Sequence, residues 1–181
     1  LCRPDVAFKA VANNKTIYDV PTQNLLERIV AIYGAAYHKG ILPVDLIKEP
    51  YHIHGYTGNL SIVKKRRGEQ YLFLNGRFIQ NRLLNSAIYS AYQSLIQRRE
   101  FPFFTLFLEM PFDAFDVNVH PAKIEARFVN EWQVYHVLKT SITEVLQDIL
   151  KVLPDYKTVY SQPSFIQPQT SVLSLKDNLP K

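Results

Sequence analysis

The sequence is poor in the residues that cross-link chains, cradle nucleotides or cross membranes. It has one cysteine, Cys2, so no disulfide can close within it. That suits a reducing compartment. Six glycines in 181 residues argue against a loop-rich or low-complexity chain. There is no GxxxxGK[ST] loop, no Asp-x-Gly-x-Gly segment and no Gly-x-Ser-x-Gly elbow. A complete ATPase or a serine hydrolase is therefore not expected. No apolar run approaches the roughly 18–20 residues needed to span a bilayer. The opening LCRPDVAFKA lacks a signal-peptide layout and begins without Met, so a piece of a longer protein is expected. His52 and His54 would share one strand face, but neither a cysteine pair nor a carboxylate cluster completes them, and no metal is expected.

What is present is a globular composition with unevenly placed charge. Hydrophobic residues make up 47% and charged residues 20% of the chain, enough for one domain with a real core. The net charge is +5, and the segment from Ser61 to Glu100 concentrates it. Lys64, Lys65, Arg66, Arg67, Arg77, Arg82, Arg98 and Arg99 lie there against only Glu69 and Glu100. Such a region attracts polyanions, although a merely solvated face is the commoner reading of any one of these residues.

Periodicity divides the chain into alternating short strands and three main helices. Ala7–Ala12 and Thr16–Val20 flank Asn13-Asn14-Lys15 as a hairpin. Pro21-Thr22 opens a helix capped by Thr22, whose apolar face carries Leu25, Leu26, Ile29, Val30 and Tyr33, and Gly34 helps to end it. Val44–Lys48 and His52–Thr57 read as strands around Glu49-Pro50, with a further short strand at Leu60–Val63. After the basic loop Lys64–Gly68 comes the strand Gln70–Leu74, closed by Asn75-Gly76. Asn81 caps a helix from Arg82 to about Arg99, and Phe103–Met110 is apolar on nearly both faces, as expected for a central buried strand. Phe115–Val119 and Ile124–Val129 are extended around His120-Pro121, and Asn130 caps a last helix, Glu131 to about Leu153. The expected domain covers 1–153, and 154–181, rich in Ser, Gln and Pro, reads as linker or tail. The fold class is an α+β or α/β sandwich, a mixed sheet with helices mainly on one face.

Two segments could meet phosphate. In Asp116-Val117-Asn118-Val119-His120-Pro121-Ala122-Lys123, strand alternation sends the two valines to the core and Asp116, Asn118 and His120 to the other face. Lys123 leaves the proline turn as a mobile point charge suited to a phosphate. From pattern alone, plain solvent exposure explains these residues better. Asn75-Gly76-Arg77 presents a guanidinium beside the loop Lys64, Lys65, Arg66, Arg67, an arrangement that suits a nucleic-acid backbone as well as it suits a solubilising turn.

Together these segments resemble a known family. YLFLNGRFIQNRLLNSAIYSAY (Tyr71–Tyr92) is similar to the F-V-N-G-R strand, turn and helix of the MutL DNA mismatch repair proteins. FPFFTLFLEMPFDAFDVNVHPAKIEARF (Phe101–Phe128) resembles their D-V-N-V-H-P-x-K-x-E-V-R-F signature, with Ala126 where valine is usual. Glu27–Gly34 and His54–Asn59 match in order, and the NGR form is of bacterial type. The resemblance implies the second, transducer domain of the N-terminal region, a ribosomal-protein-like two-layer α+β sandwich that follows an ATPase domain of the gyrase, Hsp90, histidine-kinase and MutL type. It implies that Lys123 reaches the γ-phosphate of ATP, with Mg, held by that neighbour, and that Arg77 binds DNA, with Lys64, Lys65, Arg66, Arg67 and Arg82 as further candidates on charge. This chain would then not be an enzyme alone, while its parent would be a weak ATPase. Expected partners are the DNA backbone, the adjacent ATPase domain, a MutS-type mismatch recognition protein and a second copy of the full-length protein. The expected location is the bacterial cytoplasm, at the nucleoid. The transducer of a type II topoisomerase, or a stand-alone RNA-binding module of ribosomal-protein type, are the competing readings.

Overall fold

The computed structural model describes residues 1–117 and 124–152. Chain order runs β1 (Phe8–Ala12), β2 (Lys15–Val20), α1 (Leu25–Tyr33), α2 (Ala36–Gly40), β3 (Ile41–Lys48), β4 (Tyr51–Gly58), β5 (Gln70–Leu74) and β6 (Arg77–Ile79). It continues through α3 (Arg82–Tyr92), β7 (Phe104–Glu109), β8 (Phe115–Asp116) and β9 (Arg127–Phe128) to α4 (Glu131–Val152).

The predominantly apolar run before Met110 forms the middle of a five-stranded sheet in the order β3-β4-β7-β5-β6. β5 and β7 are parallel and every other pair in this sheet is antiparallel, so the sheet is mixed. The parallel pair needs a crossover, and α3 lies within it. Phe104, Leu106 and Leu108 of β7 are fully buried. One sheet face meets the two longest helices. There Ile53, Leu72, Leu74, Leu106 and Leu108 pack with Leu84 and Ile88 of α3 and Val134, Leu138 and Ile142 of α4. A smaller cluster of Ile29, Tyr37, Ile41, Ile62 and Phe103 seats α1 and α2. The expected α+β architecture with a mixed sheet is thus observed.

Several boundaries differ from the sequence reading, each for a local reason. α1 is capped by Asn24 rather than Thr22. The Asn24 side chain accepts from the Glu27 amide at 2.8 Å, and Glu27 Oε2 accepts from the Asn24 amide at 3.2 Å. This reciprocal capping box needs a Glu or Gln side chain three positions on, and Thr22 has Leu25 there. Leu60–Val63 is not a strand. Asn59 caps a single 3₁₀ turn, Leu60–Ile62, by accepting from the Ser61 amide at 2.9 Å. α3 ends at Tyr92, earlier than the expected Arg99. Beyond it, turns whose Leu95 and Ile96 amides both donate to the Tyr92 carbonyl keep these two side chains against the core, so the apolar stripe outlasts the helix. The short elements α2 and β6 were not expected. The caps Asn81 and Asn130 are as expected, accepting from Leu84 and Gln133 at 2.9 and 3.1 Å. Residues 154–181, the expected tail, lie outside the described residues. Among those described, no helix is long and apolar enough to cross a membrane.

Candidate functional site

Asn75 and Gly76 both take positive φ, the requirement of a tight two-residue hairpin, which is why an Asn-Gly pair joins β5 to β6. The turn is tied down through both of its residues, to the end of β7 and to the N-terminal segment. The Asn75 side-chain amide donates to the Met110 carbonyl at 2.8 Å, and its oxygen accepts from the Met110 amide at 3.0 Å. The Cys2 thiol donates to the Gly76 carbonyl at 2.8 Å, and burial raises its pKa. Arg77 leaves this fixed turn exposed on the edge strand.

The other basic candidates gather at the opposite end of β5 and β6. Arg67 and Arg82 line one open groove of about 810 Å³ with Gln70, Tyr71, Tyr89 and Glu125. The Arg67 guanidinium lies over the Phe101 ring at 5.1 Å, a cation–π contact that restrains it. The loop itself is held by Lys64, whose amide and carbonyl both pair with Phe101, while its ammonium lies 5.6 Å above Tyr37. Lys65 and Arg66 are exposed in the same loop. The base of the loop is polar and shared with α1. Tyr33 donates to the Tyr71 hydroxyl at 2.8 Å, which donates to the Gly68 carbonyl at 2.9 Å. Burial, reinforced by the bond to Tyr71, pushes the Tyr33 pKa far up. The Tyr37 hydroxyl donates to Glu69. The structure therefore joins Arg67 and Arg82 in one groove and sets Arg77 at the far end of the same hairpin.

Lys123, with Asn118, Val119 and His120, lies outside the described residues. Its flanks do not. β8 and β9 pair Phe115 with Phe128 and Asp116 with Arg127, so the chain leaves and re-enters the described fold at one place. The Gln80 amide donates to the Ile124 carbonyl at 2.6 Å, and the Asn81 side chain donates to the Ala126 carbonyl at 3.4 Å and to Glu131 at 3.1 Å. The segment after Lys123 is thereby pinned beside the N-terminus of α3, and Glu125 reaches the groove that holds Arg67 and Arg82.

The sequence reading found no acidic partner for His52 and His54. The sheet supplies two. His52 Nε2 lies 2.8 Å from Asp45 Oδ1, and both rings approach Glu109. Asp45 lies seven residues from His52 and Glu109 more than fifty away, so only strand pairing brings them together. The hydrogen bond to Asp45 raises the His52 pKa above the ordinary histidine value.

Comparison with known proteins gives a consistent result. The model of the family described as "DNA mismatch repair protein, C-terminal domain" matches residues 29–147. DNA mismatch repair protein MutL of Christiangramia forsetii is 34% identical over 146 residues, covering 81% of this chain and 24% of that protein. MutL of Chlorobium phaeovibrioides is 35% identical over 171 residues, covering 91% and 28%. Among solved structures, the N-terminal domain of a DNA repair protein superposes with a TM-score of 0.69 at 20% identity, covering 84% of this chain and 52% of that one. An Aquifex aeolicus MutL ATPase domain with a K252N mutation gives 0.53 at 16% identity, covering 78% and 46%. These two likenesses concern the fold. The chain spans about a quarter of the length of the MutL relatives it matches. By these matches the chain belongs to the MutL family of DNA mismatch repair proteins.

Proposed function

We propose that this chain is a coupling domain of mismatch repair, linking ATP bound by an adjacent domain to contact with the DNA backbone. The family match over residues 29–147 carries the reading, because it spans both the Asn75-Gly76-Arg77 turn and Lys123. The described residues hold no glycine-rich phosphate cradle, so ATP and Mg would be bound by the neighbouring ATPase domain. Lys123 would supply one positive charge to the terminal phosphate from outside that domain. Two exposed apolar regions suit docking of such a neighbour. One is the β1–β2 hairpin, with Phe8, Val11, Ile17 and Tyr18, since a lone two-stranded hairpin is marginal without a partner surface. The other is Phe112, Val129 and Trp132, around the flanks of the Lys123 segment. A MutS-type recognition protein and a second copy of the full-length protein are the further partners of this reading, at the bacterial nucleoid.

In the full-length protein, Lys123→Ala should cut ATP hydrolysis tenfold or more while leaving the circular dichroism spectrum unchanged. A charge-assisted hydrogen bond is worth about 1.5–3 kcal/mol, which sets that scale. Hydrolysis at the wild-type rate would remove Lys123 from the site.

For DNA, Arg77→Glu and the pair Arg67→Glu with Arg82→Glu should weaken duplex binding without regard to sequence. The logarithmic salt slope should become shallower by about 0.9 for each phosphate that the protein no longer neutralises. A fluorescence anisotropy titration at several salt concentrations measures this, and an unaltered slope in both variants would exclude these arginines from the DNA interface. The same titration with RNA distinguishes the RNA-binding alternative, which requires RNA to bind more tightly than DNA of the same length.

A further inference from the structure

Away from α3 and α4, the sheet gathers four ligand-type side chains from three strands. His52 and His54 are two residues apart on β4, so both reach the same face. Pairing with β3 sets Asp45 opposite His54, and pairing with β7 sets Glu109 opposite His52. We infer that this cluster is a binding site for a divalent transition-metal cation of the zinc class, held by His52 Nδ1, His54 Nε2 and the Glu109 carboxylate.

The spacing fits that chemistry. Tetrahedral zinc with bonds of about 2.0–2.1 Å holds its ligand atoms about 3.3 Å apart. His52 Nδ1 lies 3.4 Å from Glu109 Oε2, and His54 Nε2 lies 3.3 Å from Glu109 Oε1, so each imidazole stands at about that separation from a different oxygen of the carboxylate. One ligand atom from each of the three residues lies within 4.8 Å of the others, a gap that side-chain rotation on partly exposed groups can close.

Asp45 supplies what a ligating imidazole needs behind it. A neutral His52 that offers Nδ1 to the cation carries its proton on Nε2 and donates it to Asp45 Oδ1 at 2.8 Å. Such an outer carboxylate fixes the tautomer and ring orientation and makes the ligand more basic. His54 is held differently. Its ring stacks on Phe107 at 5.0 Å, and Phe107 stacks on Phe73 at 4.8 Å, so an aromatic row supports one face of the ring. The two carboxylates, Asp45 and Glu109, offset the two positive charges of a bound divalent cation. Mixed imidazole and carboxylate donors suit zinc, whereas magnesium asks for an octahedron of oxygens. Three protein ligands leave one tetrahedral position for solvent.

The test uses the full 181-residue chain, stripped with a chelator and titrated with zinc chloride by calorimetry. One zinc should bind per chain. His54→Ala and Glu109→Gln should each weaken it at least tenfold, and Asp45→Asn about tenfold, the scale of an outer-shell partner. His38→Ala, remote from the cluster in sequence, should leave the affinity unchanged. Nitrogen-detected histidine spectra should show His52 bound through Nδ1 with its Nε2 proton retained. Circular dichroism of each variant reports whether the fold survives. The inference is overturned by the absence of saturable zinc binding, by wild-type affinity in a folded His54→Ala or Glu109→Gln chain, or by magnesium binding as tightly as zinc.

Discussion

Gly55→Ala is expected to lower the unfolding free energy by about 4 kcal/mol, from backbone strain and overpacking of roughly 1–3 kcal/mol each. Gly55 has a φ of +127°, a conformation that side chains oppose. It also sits in β4 against β7, where an added Cβ would lie 2.3 Å from the Thr105 carbonyl oxygen. That oxygen is backbone in the central strand and cannot rotate away, so relief requires β4 and β7 to separate. Their pairing positions His52, His54 and Glu109, and the damage would extend to that cluster. Gly34→Ala is the comparison. Its φ is +100°, but nothing lies within 4 Å of the added atom, so only backbone strain of about 1–2 kcal/mol is expected. Urea denaturation of both variants separates the two contributions, and equal midpoints would show that close approach of the strands does not matter.

Arg28→Ala should detach the N-terminal hairpin from the rest of the domain. Arg28 is only 3% exposed. The two N–H groups of its Nη2 are shared among the carbonyls of Pro4, Val6 and Pro21 at 3.0, 2.8 and 2.7 Å, and its Nε donates to Gln23 at 3.0 Å. One side chain thus satisfies carbonyls on both sides of the hairpin and fastens them to α1. Hydrogen bonds from a charged donor contribute about 1.5–3 kcal/mol each, and an acceptor left unsatisfied costs about 1–3 kcal/mol. This corner should therefore become less stable by about 3–5 kcal/mol. Hydrogen exchange would show it as faster exchange across 8–20 with little change in β5 and β7. Uniform acceleration over the whole sheet would mean that the hairpin and the core unfold as one unit, and unaltered exchange would mean that Arg28 does not hold the hairpin. Arg28→Lys should restore only part of that stability, because an ammonium cannot reproduce the planar fork.

The parts legible in the sequence are those governed by near neighbours. The apolar run before Met110 announced a central strand because nearly every position is buried. Asn81 and Asn130 announced helix starts because a cap needs only its own first turn. Asn75-Gly76 announced a turn because the pair accepts positive φ, whereas the strand β6 that makes it a hairpin was not expected. Errors fell where a nearby alternative was stronger: the Asn24–Glu27 box over Thr22, and the Asn59-capped turn over a strand. The basic loop was visible as charge. That Arg67 and Arg82 share a groove while Arg77 stands at the other end of the hairpin was not, because chain order does not say which end of a strand a loop returns to.

By itself the sequence determined the family and the α+β class, and it named the residues proposed to meet phosphate, since each rests on local pattern or on motifs read in order. Lys123 remains such a candidate, known from its motif. Tertiary structure alone decided that one arginine would serve three distant carbonyls. It also decided that Asp45 and Glu109 would meet the His52–His54 pair. The physical reason is the same in both cases: strand pairing and helix docking set distances between residues that no local preference links, and the chemistry of a site depends on those distances.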